Sequence, residues 1–417
     1  MKKFLNKFCL EIVVFGFALF TRFWRLDYPK THIFDEVYHA FTAQAMVKWD
    51  PRSWEWWNTS PAGFAYEWTH PPLAKEFMAL SILVFGDTSF AWRFFSALFG
   101  FGSIILIYLI SYYLFKNRRV ALLSALVASL DGLLLVMSRI AMNDSYFLFF
   151  SLLSIYLFLK KRNFLMGLSL GLAIASKWTG FFAIIIILAL FIYENLNSRK
   201  LKSKNILKFV FFLFVTPLVI YIASYTPFFL QRHIPPNQNF TNVQTFIELQ
   251  QQMWWYHTNL KATHPYQSTP FDWIFDLRPV WLFVDYQKEK VANIYTLENP
   301  MIAWFGLVSI LFLVFEFFKK RTLPYLLVPL SYLSFFVLWF HSPRIMFNYH
   351  YLASTAFLAI AIGFTLNKLM NSKLGKVLFF SFLILMISLS IYFYPLWTGV
   401  SVATDFNNNY FWIKSWK

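Results

Sequence analysis

The side chains best placed for chemistry are an adjacent acidic pair, Asp35-Glu36, a histidine ahead of two prolines, His70-Pro71-Pro72, and a few basic residues standing apart from other charges. Neighbouring side chains diverge in direction, so Asp35 and Glu36 are read as two tasks rather than one close dyad. One would act as base on a hydroxyl while the other orients the loop; a solvated acidic pair is the alternative. At Thr69-His70-Pro71-Pro72-Leu73 two fixed φ angles and two missing amide donors make a stiff lead into a helix. That favours an orienting role for His70 over proton transfer, and a plain structural corner explains the prolines equally well. Arg139, in Arg139-Ile140-Ala141-Met142-Asn143-Asp144, suits a bound phosphate because guanidinium forms strong charge-assisted pairs with phosphate oxygens. An ion pair with Asp144 or snorkelling to headgroups competes with that reading. Lys177, in Ser176-Lys177-Trp178-Thr179-Gly180, interrupts an apolar run and must face a polar cavity or reach outward. Arg344 offers a further cation, with Asn348, Tyr349 and His350 as hydrogen-bonding groups beside it. The stretch from Trp254-Trp255-Tyr256-His257 through His264 and Tyr266 to Trp273 and Trp281 mixes rings and polar groups, as a groove for a sugar or an extended peptide would. Ordinary interfacial packing would use the same composition. His341 and His350 lack the three- or four-ligand spacing of a metal site, so no metal and no cofactor is expected.

The elements that must carry these residues are membrane spans. Over 417 residues the sequence is 58% hydrophobic, 22% aromatic and 14% charged, the balance of an integral membrane protein. Apolar windows of roughly 20 residues, enough for one helix to cross the hydrocarbon, recur at 8 to 24, 92 to 115, 120 to 138, 144 to 160, 163 to 176, 178 to 194, 206 to 229, 299 to 317, 322 to 341, 346 to 367 and 377 to 396. The expectation is an all-α polytopic membrane protein of about 11 transmembrane helices. The first run reaches Thr21-Arg22-Phe23 without a small-residue cleavage site and reads as a retained anchor. Glu11 and Asp131, the acidic exceptions inside these runs, should face the bundle interior.

Basic clusters at Lys2 to Lys7, Lys116 to Arg119, Lys160 to Arg162, Arg199 to Lys208, Lys319 to Arg321 and Lys368 to Lys376 all fall on one side if the stretch 163 to 194 goes out and back as two short helices meeting near Lys177. By the positive-inside rule that side is cytoplasmic, and so is the N-terminus. Two longer segments, 25–91 and 231–298, then face away from the cytoplasm. Leu73 to Phe85 is too short to span and reads as an interfacial helix. The whole chain, 1–417, reads as one membrane-embedded domain. The net charge of +17 belongs to cytoplasmic anchors on anionic lipid, not to a nucleic-acid surface. Cys9, the single cysteine, excludes an intrachain disulfide. A transporter or flippase would gather polar residues at broken helices near the midplane, whereas here they gather at loops and span ends, Lys177 excepted.

The runs TRFWRLDYPKTHIFDEVYHA, THPPLAK, RIAMNDS, GLAIASKWTGFF, ATHPYQS and PRIMFNYHYL resemble, in that order, motifs of the protein O-mannosyltransferases, over residues from about 21 to 360. The resemblance implies a GT-C type helix bundle in a bacterial plasma membrane, active on the non-cytoplasmic side. It implies inverting transfer of mannose from polyprenyl phosphate mannose to Ser or Thr hydroxyls of exported protein, with secretion machinery as a further partner. The family's acidic pair matches Asp35 and Glu36, its arginine after the third span matches Arg139, and its histidine-proline loop matches His264-Pro265. Asp35 would supply the base, and Arg139, Arg344 and Lys177 would hold the donor phosphate. His70, His264, Tyr266, Asn348, Tyr349 and His350 are the orienting or acceptor-side residues. The chain departs from eukaryotic members in leaving no room for a β-trefoil-like insertion in its second large loop. A related lipid-linked sugar transferase acting on a glycolipid or polysaccharide is the alternative, and ATHPYQS and PRIMFNYHYL favour the protein-modifying family.

Overall fold

The structure, a computed structural model, describes residues 2–198 and 203–417, with side chains for 8–196 and 206–417. The basic side chains at 2–7 and 199–205 lie outside these. In chain order the helices are α1 (Lys2–Phe23), α2 (Glu36–Val47), α3 (Leu73–Phe85), α4 (Ser89–Phe115), α5 (Arg118–Leu130), α6 (Gly132–Met137), α7 (Asp144–Leu159), α8 (Asn163–Ser176), α9 (Phe182–Ser198), α10 (Ser203–Val210), α11 (Thr216–Ala223), α12 (Thr226–Phe229), α13 (Asn242–Asn259), α14 (Pro270–Ile274), α15 (Pro300–Lys320), α16 (Leu323–Phe336), α17 (Leu352–Leu369), α18 (Lys373–Thr398) and α19 (Thr404–Asn407). Among the described residues seven helical runs are long and apolar enough to cross a membrane: 89–115, 178–196, 206–223, 300–320, 323–341, 348–369 and 373–398. A helix satisfies its own backbone hydrogen bonds, which is what a bilayer interior demands.

α17 is the centre of the bundle. Leu352 to Leu366 are buried on every face, and the helix packs against α5, α15 and α16. At Gly363 an added Cβ would lie 2.3 Å from the Ser124 Oγ and 2.7 Å from the Ser124 nitrogen, so glycine permits the close approach of α17 to α5.

Two of the apolar runs are not single helices. The run 120 to 138 breaks at Asp131, whose extended backbone (φ −85°, ψ 134°) ends α5 and whose Oδ1 caps α6 by accepting from the Leu134 amide at 2.8 Å. The run 206 to 229 passes through a π-helical turn, Phe211–Val215, before α11 and α12, each of which begins with a proline in its first turn. The stretch 163 to 194 is two helices joined at Lys177. Lys161, before α8, pairs with Glu194, near the end of α9, so the two helices go out and back. Side-chain contacts gather the other basic links at that same end: Lys116 and Lys160 over Tyr113, Phe115 against Tyr325, Lys320 over Tyr325, and the Tyr193 hydroxyl on the Arg321 carbonyl.

The two long loops have structure of their own. The stretch 25–91 holds α2 and α3. The stretch 231–298 holds α13, opened by a Thr241/Gln244 capping box, then α14 and a hairpin of β1 (Trp281–Tyr286) and β2 (Lys290–Tyr295) in antiparallel register, with Val284 opposite Asn293. A short third strand, β3 (Val402–Ala403), extends the sheet through Lys290 opposite Ala403. This sheet lies outside the all-helical expectation; the bundle itself is built of helices.

Candidate active site

Buried cations shape the 25–91 loop. Arg93, near the start of α4, meets Glu36 in a bidentate pair, Nε to Oε1 and Nη2 to Oε2 both at 2.7 Å, with both side chains 0% exposed. Arg93 also donates to the carbonyls of Leu26, Pro29 and Thr31, and Glu36 accepts from the amides of Ile33 and Ala141. Desolvating two ions costs several kcal/mol each, and these extra hydrogen bonds offset that cost. Glu36 is therefore committed to holding the loop, which corrects its place among catalytic groups. Its neighbour Asp35 is turned to the cavity.

Arg139 is also committed. Its Nη1 donates to the carbonyls of Thr21, Arg22 and Trp24 at 2.8, 3.0 and 2.9 Å, and its Nη2 to that of Arg25 at 3.3 Å. The Thr21 and Arg22 carbonyls are among the last four of α1, which the helix leaves without partners, and those of Trp24 and Arg25 follow directly after it. Arg139 does not line the cavity, so the expectation of a phosphate ligand is corrected to a cap on α1. The alternative pairing with Asp144 fails too, since Asp144 binds Lys177.

A third cation sets the histidine-proline corner. Lys75 Nζ reaches Glu67 Oε2 at 2.6 Å and the carbonyls of Glu67 and His70 at 2.5 and 3.0 Å. Burial works against ionisation of Glu67, but Lys75 and His39 outweigh it and hold the carboxyl at about 2.

These ties surround a cavity of about 740 Å³ whose wall includes Asp35, His70, Asn143, Asp144, Lys177, His257, His264, Arg344, Tyr349 and His350. Asp35 keeps part of its surface open to this space. Burial pushes its carboxyl up to about 7, helped by Asp144 and Glu67 and opposed by Lys177 and Arg344. Lys177 occupies an extended residue between α8 and the 3₁₀ turn Trp178–Phe181. Its Nζ lies 2.8 Å from Asp144 Oδ1 and 5.7 Å from the ring centres of Phe147 and Tyr349.

Arg344 is held from behind by His257. Its Nη1 donates to His257 Nδ1, while His257 Nε2 lies 2.7 Å from the Thr69 carbonyl. A carbonyl only accepts, so Nε2 carries the proton and the imidazole is neutral. Burial first and Arg344 second push His257 down to about 4. Arg344 also stacks 5.4 Å from the Tyr256 ring centre, and among the described residues no carboxylate neutralises it. His70 lies against His257 and His39, ring centres 4.9 and 6.1 Å away, and burial keeps it well below the usual histidine range.

The remaining expected residues divide. Tyr349 and His350 line the cavity, and His264 stands at its edge with Nδ1 accepting from the Tyr266 amide at 3.1 Å. Tyr266 does not line it: its ring lies 4.7 Å from the Arg278 guanidinium, and Arg278 ties Pro265 to the chain end through Ser415. Asn348 is likewise structural. It is buried, and its amide exchanges hydrogen bonds with Thr296 at 2.6 and 2.7 Å and approaches Asp276 at 3.5 Å. Sequence reasoning passed over His257, Asn143 and Asp144 as site residues, although each stands in a stretch it singled out.

A profile described as dolichyl-phosphate-mannose-protein mannosyltransferase matches residues 12–232, and one described as the C-terminal four-transmembrane region of protein O-mannosyltransferase matches residues 242–416. The chain belongs to the protein O-mannosyltransferase family. Among family relatives, the polyprenol-phosphate-mannose--protein mannosyltransferase of Corynebacterium glutamicum is 24% identical, covering 97% of this chain and 92% of its own. The enzyme of the same name from Mycobacterium tuberculosis is 22% identical, covering 93% and 87%. In fold, the chain matches the Saccharomyces cerevisiae Pmt1-Pmt2 protein O-mannosyltransferase complex bound to its sugar donor, with TM-score 0.79, 16% identity and coverage of 99% of this chain and 93% of that one. It also matches ArnT from Cupriavidus metallidurans bound to undecaprenyl phosphate, with TM-score 0.61, 14% identity and coverage of 87% and 60%. The helix bundle is thus that of the GT-C membrane glycosyltransferases.

Proposed function

We propose that this protein transfers mannose, with inversion, from a polyprenyl phosphate carrier to Ser or Thr hydroxyls of exported proteins. The observation that carries the reading is the pairing, across one cavity, of Asp35 pushed up to about 7 with two cations, Lys177 and Arg344. A base near neutrality suits a hydroxyl nucleophile, because a substantial fraction is ionised near neutral pH while the carboxylate is still basic enough to take the proton. The acceptor oxygen attacks C1 of the sugar, its proton passes to the Asp35 carboxylate, and the bond from C1 to the phosphate oxygen breaks. The electron pair leaves on the polyprenyl phosphate, whose charge Lys177 and Arg344 stabilise. One displacement with no covalent sugar intermediate inverts the anomeric centre.

The relatives' names and the motif set support mannose as the sugar and a phosphorylated polyprenol as carrier. The ring-lined side of the cavity at Trp68, Tyr256 and Trp178 suits an extended acceptor segment, as a protein would offer during export beside secretion machinery. The end of the bundle opposite the basic links is then the non-cytoplasmic side of a bacterial plasma membrane. Purified enzyme incubated with radiolabelled polyprenyl-phosphate-mannose, Ser/Thr peptides and a lipid extract should yield labelled peptide of inverted configuration. Label confined to a glycolipid would reject a protein acceptor, and carrier movement without sugar transfer would reject the transferase.

A further inference from the structure

Asn143 occupies the N-cap position of α7, where an asparagine side chain ordinarily accepts from a first-turn amide. Here it makes no capping bond. The residue is 1% exposed and lines the catalytic cavity, yet neither its amide nitrogen nor its amide oxygen has a hydrogen-bond partner. Asp144, the next residue, is equally buried. Lys177 takes its Oδ1 at 2.8 Å, and its Oδ2 is left without a partner. Leaving a buried polar atom unpaired forfeits its hydrogen bonds to water with nothing in return. Three such atoms on two consecutive residues of a cavity wall mark a place for the polar groups of a ligand.

The chemistry of the three atoms narrows that ligand. An amide offers a donor and an acceptor, while the free carboxylate oxygen accepts only. Neighbouring hydroxyls, which both donate and accept, match this set; a phosphate does not, since two of the three atoms would repel it. Lys177 joins Asp144 on one side and, on the function proposed above, the donor phosphate on the other. The sugar attached to that phosphate must then lie next to Asn143.

We propose that Asn143 and the free oxygen of Asp144 form the subsite that reads the hydroxyls of the donor sugar, with Asn143 setting the preference for mannose over its epimers. The proposal rests on the donor assignment above. A site built to hydrogen-bond a substrate hydroxyl rejects an analogue that leaves its buried groups unpaired, which an apolar pocket cannot do.

The test uses the full-length enzyme with Asn143→Ala and Asn143→Ser, comparing polyprenyl-phosphate-mannose with polyprenyl-phosphate-glucose at a fixed peptide acceptor. Affinity for sugar-free polyprenyl phosphate and the acceptor KM are measured alongside. Asn143→Ala should lower kcat/KM for the mannose donor by about 10- to 100-fold, the equivalent of one lost buried hydrogen-bonding group. The glucose donor should lose less, so the mannose-to-glucose ratio falls about tenfold or more. Asn143→Ser, which retains a hydroxyl, should fall between. Affinity for the sugar-free lipid and acceptor KM should not move, and the retained lipid affinity also shows that the variant is folded. Equal losses with both donors, weaker binding of the sugar-free lipid, or a change confined to acceptor KM would each overturn the subsite. Failure of the function reading looks different: wild-type enzyme would be inactive with the mannose donor and active with another sugar, and the same ratio, measured between that sugar and its epimer, would still decide the role of Asn143.

Discussion

Asp35 and Glu36 are adjacent, carry the same charge and sit in opposite environments. Glu36 is saturated by Arg93 and two amides, whereas among the described residues no group donates to the Asp35 carboxylate. Asp35→Asn should therefore cut turnover by roughly 10²- to 10⁴-fold with protein level and donor binding intact. Because burial lifts this carboxyl to about 7 and the base must be ionised, wild-type activity should climb as pH rises through about 7 and level off above it. A rate flat between pH 5 and 8 would remove Asp35 from the role. The cations separate in the same way. Arg344→Gln and Lys177→Gln should weaken binding of sugar-free polyprenyl phosphate, because each removes a positive charge facing the cavity. Arg139→Gln should leave that affinity unchanged and instead lower thermal stability by about 2–4 kcal/mol, since it strips donors from several carbonyls at the end of α1. Calorimetric titration with the lipid and melting curves in detergent distinguish the two outcomes. Loss of lipid affinity in Arg139→Gln alone would restore it as the clamp. All three arginine and lysine positions were legible as lone cations in an apolar chain, because membrane energetics makes such residues conspicuous. What satisfies each one was not legible: Arg139 meets the carbonyls of residues 21 to 25, more than a hundred positions away, and no local pattern encodes that.

At the scale of elements, the loop bearing Asp35 is rigid because Arg93 on α4 draws together the chain at Leu26, Pro29 and Thr31, the start of α2 and the Ala141 turn before α7. Arg93→Met would leave Glu36 buried and unpaired, costing about 3–5 kcal/mol. Replacing both, Arg93→Met with Glu36→Leu, should recover much of that stability because no lone charge remains. Activity should stay low in the double variant, since the Ile33 and Ala141 amides lose their acceptor and Asp35 loses its fixed position. Melting temperature and turnover measured on the same samples check this, and recovery of both together would show that the knot does not position Asp35. The hairpin of β1 and β2 shows where sequence reading stopped. Trp281–Tyr286 and Lys290–Tyr295 are β-branched and aromatic runs separated by the polar Gln287-Lys288-Glu289, a strand signal in itself. In a stretch so rich in rings the same residues read equally as interfacial loop. The helices at 163–176 and 182–198 were legible because the basic residues on either side demanded an even number of crossings. The break at Asp131 was not, since an acidic residue inside an apolar run indicates a buried face without indicating that the backbone opens there to make a cap.

The whole molecule is polarised. Lys116, Lys160, Lys161, Lys320 and Arg321 meet one another's neighbours at one end of the bundle, and the cavity with Asp35, Lys177 and Arg344 is built from the turns and loops at the other. Among the described residues seven helical runs have the length and apolarity to cross, and the further apolar helices α7 and α8 are shorter. Adding α7, α8, α1 and the broken run α5–α6 to these gives the about eleven crossings expected from the sequence, a number that cysteine labelling tests. If the basic end is cytoplasmic, as the positive-inside rule predicts, Thr263 in the second long loop faces outward and Lys319 faces inward. After Cys9→Ser, single cysteines at Thr263 and Lys319 can be challenged in intact cells with a membrane-impermeant maleimide. Label is expected on the variant at 263 and, only after permeabilisation, on the variant at 319. The cavity is built from loops and helix ends at the end of the bundle opposite the basic links, so this labelling also reports the side on which acceptor and donor must meet. Labelling of position 319 in intact cells, with 263 protected, would invert the molecule and place the chemistry in the cytoplasm, where an exported protein could be modified only before it leaves.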